Sequence, residues 1–379
     1  MPNRDVDFDL PLDLNDKRIV RALARIDARA EVIQGFPMDA RTSRALDTLN
    51  IARAVASTTA IEGANVTPEE AREIIAAEAG IRVLAPDRER DEAEVRNARD
   101  AMLYVRDILR ADPEHALTEG VVREIHRLVT RGIDYPGNVP GGYRAMGVRA
   151  GDYVAPNPEE VPGLIHRFVE WFRNGPPRGW HPVIQAVVAH FYVVSIHPFA
   201  EGNGRTARGV EGFVLYRGGI NRFGFYSLAN FYYSRRDDYI NGLTDAQFGS
   251  GSLTPFVVYA LDGLADELRS VNRDVIEMAR RIAFREMGRQ ELAEAGIGIK
   301  RAERLIRLLD AVSPAPSPLY QERRRQLEPT MIALYRGLSS RTLQRDASLL
   351  EGMGLIRPNE AGEWEANLGM VDRGGAGED

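Results

Sequence analysis

Histidine, glutamate and two arginines fall inside one twelve-residue stretch, separated by residues that leave backbone bare. The stretch is His197, Pro198, Phe199, Ala200, Glu201, Gly202, Asn203, Gly204, Arg205, Thr206, Ala207 and Arg208. An apolar run over residues 183–196 leads into it and reads as helix. Pro198 biases His197 away from the α conformation, so that helix is predicted to end there. Gly202 and Gly204 permit a tight turn, and a new helix reads from Arg205 through Val210, Phe213, Val214 and Leu215. A Gly-rich turn opening a helix is an anion site, because unpaired N–H groups and the helix dipole both favour negative charge there. Arg205 and Arg208 share one face of the first turn. Cations are poorly placed at a helix N-terminus unless an anion joins them, so the pattern implies a polyphosphate. Glu201 conflicts with an anion unless a cation intervenes, and a carboxylate beside phosphates is a natural Mg²⁺ ligand. His197 is the residue of the stretch suited to accept a proton near neutral pH.

These residues resemble the HPFx[D/E]GNGRxxR motif of the Fic (filamentation induced by cAMP) family, matched at every defined position. The resemblance implies transfer of AMP from ATP to hydroxyl side chains of proteins, the enzyme's own included. It makes His197 the base that deprotonates the target hydroxyl. It makes Glu201 the ligand of Mg²⁺ (or Mn²⁺) on the α- and β-phosphates. Gly202, Asn203 and Gly204 would cradle phosphate, and Arg205 and Arg208 would clamp the β and γ groups. Thr206 and Ala207 lie within the same ATP-binding stretch. Relatives that phosphorylate carry Lys where this chain has Gly204, so Gly204 favours nucleotidyl transfer.

The elements that must position this stretch lie on both sides of it. Upstream, a loose apolar stripe of Leu46, Leu49, Val55 and Ile61 predicts a helix over 44–63, stopped at Gly63. Thr67, Pro68 and Glu70 predict a capped helix start. Thr58, Glu62 and Gly63 resemble the family's [S/T]xxxE[G/N] inhibitory motif. By that resemblance Glu62 pairs with Arg208 and denies it to the γ-phosphate, which places the chain in the N-terminally inhibited class. Val148 and Tyr153–Val154 around Ala150, Gly151 and Asp152 read as a small hairpin; in the family this flap holds the target segment by strand addition. Tyr239 and Leu243 match a YYxxL segment that lines the family's adenine pocket, with Ile240 at the second Tyr, and Gln247 could reach the purine edge. His190 stands seven residues before His197 on one helix and reads as a core or supporting histidine. His115, His126, His166 and His181 show no partner pattern, and the charge run over 87–94 reads as a solvated helix start.

The expected fold is all-α, mainly a helical Fic fold with a small hairpin flap, plus a small C-terminal α+β domain that looks like a winged helix. The expected division is 1–110 for N-terminal helices including the inhibitory helix, 111–280 for the catalytic core, and 281–379 for linker helices, winged module and a flexible tail from Asp372. Residues 313–318 read as a linker, and 330–337 as a helix before the one starting after Ser339 and Ser340. Arg341, Arg345 and Arg357 could meet phosphates, but Asp346, Glu351, Glu360 and Glu363 offset them. DNA is therefore not the favoured partner. At 379 residues, with 44% hydrophobic and 27% charged, the composition is ordinary for a globular protein. A net charge of −6 exerts no global pull toward nucleic acid or acidic membrane. The absence of cysteine excludes disulfides and thiolate chemistry. A polar, acidic beginning and the lack of a long apolar run lead to an expected cytoplasmic location. The expected partners are ATP, a protein target with a hydroxyl side chain and a second copy in a homodimer. Two alternatives remain beside the adenylyltransferase: a DNA-binding regulator with a nucleotide-sensing Fic domain, and a Fic enzyme that removes AMP or uses another nucleotide.

Overall fold

A computed structural model describes residues 6–36, 40–78, 81–221, 227–249, 251–312, 335, 338–360 and 362–373. The chain divides into two compact units, Met1–Val271 and Asn272–Asp379. Both are mainly helical, and the strands described form two short antiparallel hairpins.

In the first unit the helices are α1 (Lys17–Gly35), α2 (Ala40–Ile61), α3 (Pro68–Ala76), α4 (Glu89–Ala111), α5 (Glu119–Val129), α6 (Val161–Asn174), α7 (Pro182–Ile196), α8 (Asn203–Arg217), α9 (Leu228–Ser234) and α10 (Arg236–Thr244). A π-helical turn, Asp245–Gly249, follows, and α11 (Thr254–Glu294) begins in this unit. α7 is apolar on every face and is buried almost throughout, as a central helix must be. It packs against α8, and α4 and α5 cover α8 from another side. α2 lies against α3, α4 and α9, with Val55, Val66, Ala71, Ile74, Leu84 and Val95 closing a core between them.

Local chemistry explains the boundaries. Thr67 accepts from the Glu70 N–H and Glu70 returns a bond to the Thr67 N–H, a complete capping box with Pro68 in the first turn. Thr118 caps α5 by accepting from the Val121 N–H. Gly63 ends α2 at φ 103°, a conformation glycine adopts without a Cβ clash. The hairpin β1 (Arg149–Ala150) and β2 (Tyr153–Val154) pairs Ala150 with Tyr153 across Gly151 and Asp152.

The charge run at 87–94 differs from its reading as a solvated start. Glu92 and Glu94 are buried. Glu92 accepts from the N–H groups of Val83 and Leu84 and pairs with Arg96, while Glu94 turns toward α8. Burial is tolerated because each carboxylate has charged or N–H partners.

The second unit contains α12 (Ile299–Ala311), a helix Ser340–Gly352, and the hairpin β3 (Ile356–Pro358) with β4 (Trp364–Ala366). Leu305, Ile306, Leu309, Leu350, Leu355 and Ile356 form its core. Arg357 is paired with Glu365, and Arg301 and Arg304 both bond Asp346. The expected linker at 313–318 and most of the helix at 330–337 lie outside the described residues. Asp372, expected to open the tail, belongs to a short helix, Gly369–Arg373.

Candidate active site

α7 ends at Ile196, and His197 follows in the left-handed region at φ 50°, ψ 59°. It is the one non-glycine residue with positive φ among those described. Such a conformation costs about 1–3 kcal/mol and persists only where surroundings enforce it. Arg144 does so: its N–H donates to Pro198 O at 3.0 Å and its Nε to His197 O at 2.8 Å. The same side chain donates from Nη1 to Met146 O at 3.0 Å and from Nη2 to Pro156 O at 2.6 Å, joining the His197 turn to the base of the hairpin.

His197 Nδ1 lies 3.2 Å from Val194 O. A carbonyl only accepts, so Nδ1 carries the proton and Nε2 keeps a lone pair. Burial pushes the His197 pKa down to about 4, partly offset by the bond to Val194. The imidazole is therefore neutral near pH 7 and able to take a proton.

The turn after it is built by its own side chains. Asn203 Oδ1 accepts from the Phe199 N–H at 2.9 Å, and its Nδ2 donates to Phe199 O at 2.8 Å. Gly202 is the left-handed N-cap of α8 at φ 74°, where a Cβ would lie 2.6 Å from Thr130 Cγ2. Thr206 Oγ1 donates to Gly202 O at 2.8 Å, and Ala207 is fully buried. The side chains of Asn203, Thr206 and Ala207 thus face inward, and what this turn presents outward is the first-turn backbone of α8.

His126 braces the turn, a role that its spacing along the chain does not signal. Its ring stacks on Phe199 at 3.6 Å. The Gly141 N–H donates to Nδ1 at 2.9 Å, so Nε2 carries the proton and donates to Glu201 O at 3.0 Å. Burial lowers its pKa to about 4, which keeps this neutral tautomer.

The two arginines are buried and engaged. Arg205 bonds Glu201 Oε1, and Glu94 lies 3.2 Å from its Nη1. Arg90 bonds Glu94 at 3.0 Å and lies 3.7 Å from Glu201. Arg208 donates from Nε to Thr58 Oγ1 at 2.7 Å, and from Nη2 to Thr58 O at 3.0 Å and Glu62 Oε1 at 2.6 Å. Burial opposes the charge on Glu62, but Arg208 outweighs it and holds the carboxyl below its usual range. A Cβ at Gly204 would collide with Glu62 Oε1. Glu62 therefore lies over the first turn of α8, where an anion would bind.

The flap stands beside the histidine. The Tyr153 ring is 6.5 Å from that of His197, and its hydroxyl donates to Ser195 O. Ala150, Gly151 and Asp152 form the outer strand end and turn. Tyr239 is buried: its hydroxyl lies 2.9 Å from His190 Nε2, and its ring stacks on Tyr232 at 4.6 Å. His190 Nδ1 in turn lies 2.5 Å from Glu211, completing a buried polar row behind Arg208. Gln247 donates to Ser195 Oγ at 3.0 Å and is also buried.

The site thus ends one helix on a left-handed histidine and opens the next with bare first-turn backbone. The sequence profile of the Fic/DOC family matches residues 116–215. Residues 116–215 thus carry the sequence pattern of a Fic domain. It is 33% identical over 168 residues to Protein adenylyltransferase Fic of Nematostella vectensis, covering 43% of this chain and 36% of that one. It is 27% identical over 220 residues to the protein of the same name from Drosophila ananassae, covering 58% and 42%. The chain thus spans less than half the length of these relatives. In fold it resembles a Fic family protein from Desulfovibrio desulfuricans, with a TM-score of 0.59 at 22% identity over 94% of this chain and 98% of that one. Fic-1 from C. elegans aligns with a TM-score of 0.55 at 23% identity, over 69% and 74%. Among the described residues no helix is long and apolar enough to cross a membrane.

Proposed function

We propose that this chain transfers AMP from ATP to the hydroxyl of a Ser, Thr or Tyr of a protein target, and to its own hydroxyls, and that Glu62 restrains the reaction. The observation that carries the reading is the His197 tautomer, with Nδ1 spent on Val194 O and Nε2 free beside an anion cradle. In the step, the target oxygen attacks the α-phosphorus, His197 Nε2 takes its proton, and the bond to the β-phosphate oxygen breaks to release pyrophosphate. The first turn of α8 offers Gly202, Asn203 and Gly204 backbone to the phosphates. Arg205 and Arg208 carry the charge that the β and γ groups need.

Glu201 is the carboxylate at this cradle, partly exposed and held at present by Arg205. It fits a Mg²⁺ or Mn²⁺ shared with the phosphates, an ion that would offset phosphate charge. The flap residues Ala150 to Tyr153 offer a short exposed strand edge next to His197 for a target segment. Tyr239 supports the reading only indirectly, because its hydroxyl is turned to His190. Thr58, Glu62 and Gly63 form the restraint: Thr58 and Glu62 occupy Arg208, and Gly63 ends the helix that carries them.

The test uses the purified chain, its Glu62→Gly form, and that form with His197→Ala, each given α-³²P ATP and γ-³²P ATP. Label from the α form alone, lost with His197→Ala while ATP still binds, is the expected result. Loss of a general base lowers rates by about 10²–10⁴. Label from the γ form would make the chain a kinase, and unaltered labelling by the alanine form would remove His197 from the mechanism.

A further inference from the structure

Behind the residues that grip Arg208 lies a hollow between α2, α4 and α8, closed at one end by α9. Its cause is legible in side-chain size. Ala54 on α2, Ala98 and Ala101 on α4, Gly212 on α8 and Ala229 on α9 all line it. Larger neighbours set the helix spacing, so small residues at one level leave the seam unfilled. The volume is about 120 Å³. A Cβ at Gly212 would meet no atom within 4 Å. Interiors seldom keep holes larger than a water molecule, and an apolar hole of roughly this size takes up one aromatic ring.

The lining is polar around Thr58, Arg205, Arg208 and Glu211, and Asp47, Asn50 and Arg106 add polar groups elsewhere on it. Arg208 Nη1 and Arg205 Nε are buried without an aligned hydrogen-bond acceptor. The charges themselves are already matched: Glu62 answers Arg208, Glu94 and Glu201 answer Arg205, and Glu211 faces His190. An incoming anion would meet Glu211 and Asp47, the two carboxylates that line the hollow. A neutral oxygen would meet spare N–H groups, which are costly to leave unpaired.

We propose that this cavity binds a small uncharged molecule, one ring in size with a single oxygen acceptor, and that its occupancy loosens Thr58 and Glu62 from Arg208. The link to α2 is geometric. Ala54 and Thr58 are one turn apart on the face of α2 that borders the hollow. A guest lodged there presses on the turn that grips Arg208. A ligand that binds the loosened arrangement better shifts the population toward it. The effector role rests on the function proposed above, whereas binding and the response of α2 do not.

The test titrates the full chain with acetophenone, toluene and benzoate by calorimetry, and follows amide hydrogen exchange over residues 53–61. Two filled variants serve as controls, so that a folding failure in one leaves the other. Gly212→Leu occupies free space and removes a helix-interior glycine; Ala98→Leu fills from α4. Acetophenone is expected to bind saturably, with toluene weaker and benzoate about tenfold weaker or more, the scale of a lost or mismatched buried polar contact. Both variants should lose acetophenone binding. With acetophenone bound, α2 amides should exchange roughly fivefold faster in the wild type, as a locally opened helix does. Absence of saturable acetophenone binding, equal binding by wild type and both variants, benzoate binding as tight as acetophenone, or unchanged α2 exchange with the cavity filled would each overturn the proposal. Auto-labelling by Glu62→Gly separates the two readings. If it is no faster than wild type, the autoinhibition fails, while calorimetry and exchange still decide the cavity.

Discussion

His197 owes its chemistry to groups that its own motif does not contain. Val194 O fixes its tautomer, Arg144 fixes its backbone, and burial keeps it neutral. A pKa lowered to about 4 means that the neutral base persists as the medium is acidified. The Glu62 carboxylate pulls the pKa upward, so its removal does not undo the shift. For the Glu62→Gly enzyme, kcat/KM for ATP should fall less than about twofold between pH 7.5 and 5.5, whereas a base of ordinary pKa 6.5 would lose roughly tenfold. A pH–rate profile with an acid limb near 6.5 would contradict this. His126 is tested at the same scale. His126→Phe keeps the stack on Phe199 but removes the bonds to Gly141 and Glu201. Displacing the turn should cut labelling by about 10–10² with the fold retained, since a misplacement near 1 Å costs on that order. Unchanged initial rates would reduce His126 to a packing residue.

At the scale of elements, the proposed restraint sets α2 against ATP for one guanidinium, that of Arg208 on α8. Thr58 and Glu62 occupy three of the bonds that Arg208 can donate, and Glu62 lies where a side chain on Gly204 would be. On the proposed function, holding Arg208 would deny the triphosphate its γ anchor and turn its α-phosphorus from in-line attack. Orientation carries much of the catalysis in this class of transfer. Glu62→Gly should therefore raise α-label incorporation by about tenfold or more at saturating ATP. Glu70→Gly, which loses the cap of α3 and the ion pair with Arg88, should not. Glu62→Gly with Arg208→Ala should lose the gain, because the freed arginine must be present to act. Initial rates for the four proteins check this, and equal rates for wild type and Glu62→Gly would contradict it.

At the scale of the whole molecule, the site draws all its described parts from the unit Met1–Val271, and the second unit has a polar anchor of its own. Asp346 is 1% exposed and receives bonds from Arg301, Arg304 and Tyr335. Its removal leaves two arginines unanswered, a change that costs about 3–5 kcal/mol for a fully buried pair. Arg301 is 43% exposed, so screening reduces the expected loss to roughly 2–3 kcal/mol. Asp346→Ala should lower the unfolding transition of Asn272–Asp379 in chemical denaturation while AMP labelling by the first unit persists. Loss of both together would mean that the two units unfold as one.

The sequence alone determined much of the local structure, because local rules need no partner. Pro198 ended α7, Thr67 and Glu70 capped α3, and Gly202 turned the chain into α8, which starts at Asn203 with Gly204 already inside it rather than at the expected Arg205. The motif residues were legible for the same reason: their spacing is short enough for one turn to hold them. Of the contacts between distant parts of the chain, the Glu62–Arg208 pair was legible through the family motif, and the others were not. Nothing in the spacing of His126 or Arg144 pointed to the turn they brace, since each reaches it across a long stretch of chain. The buried partner of Arg205, Glu94, came from a charge run that read as solvated, and periodicity cannot say which face of α4 meets α8. Tyr239 illustrates the same limit, because a motif gives its position and only packing gave its hydroxyl to His190. The hollow beside Ala54 and Gly212 has no local signature at all. A void is the sum of small side chains on helices that only the fold brings to one level.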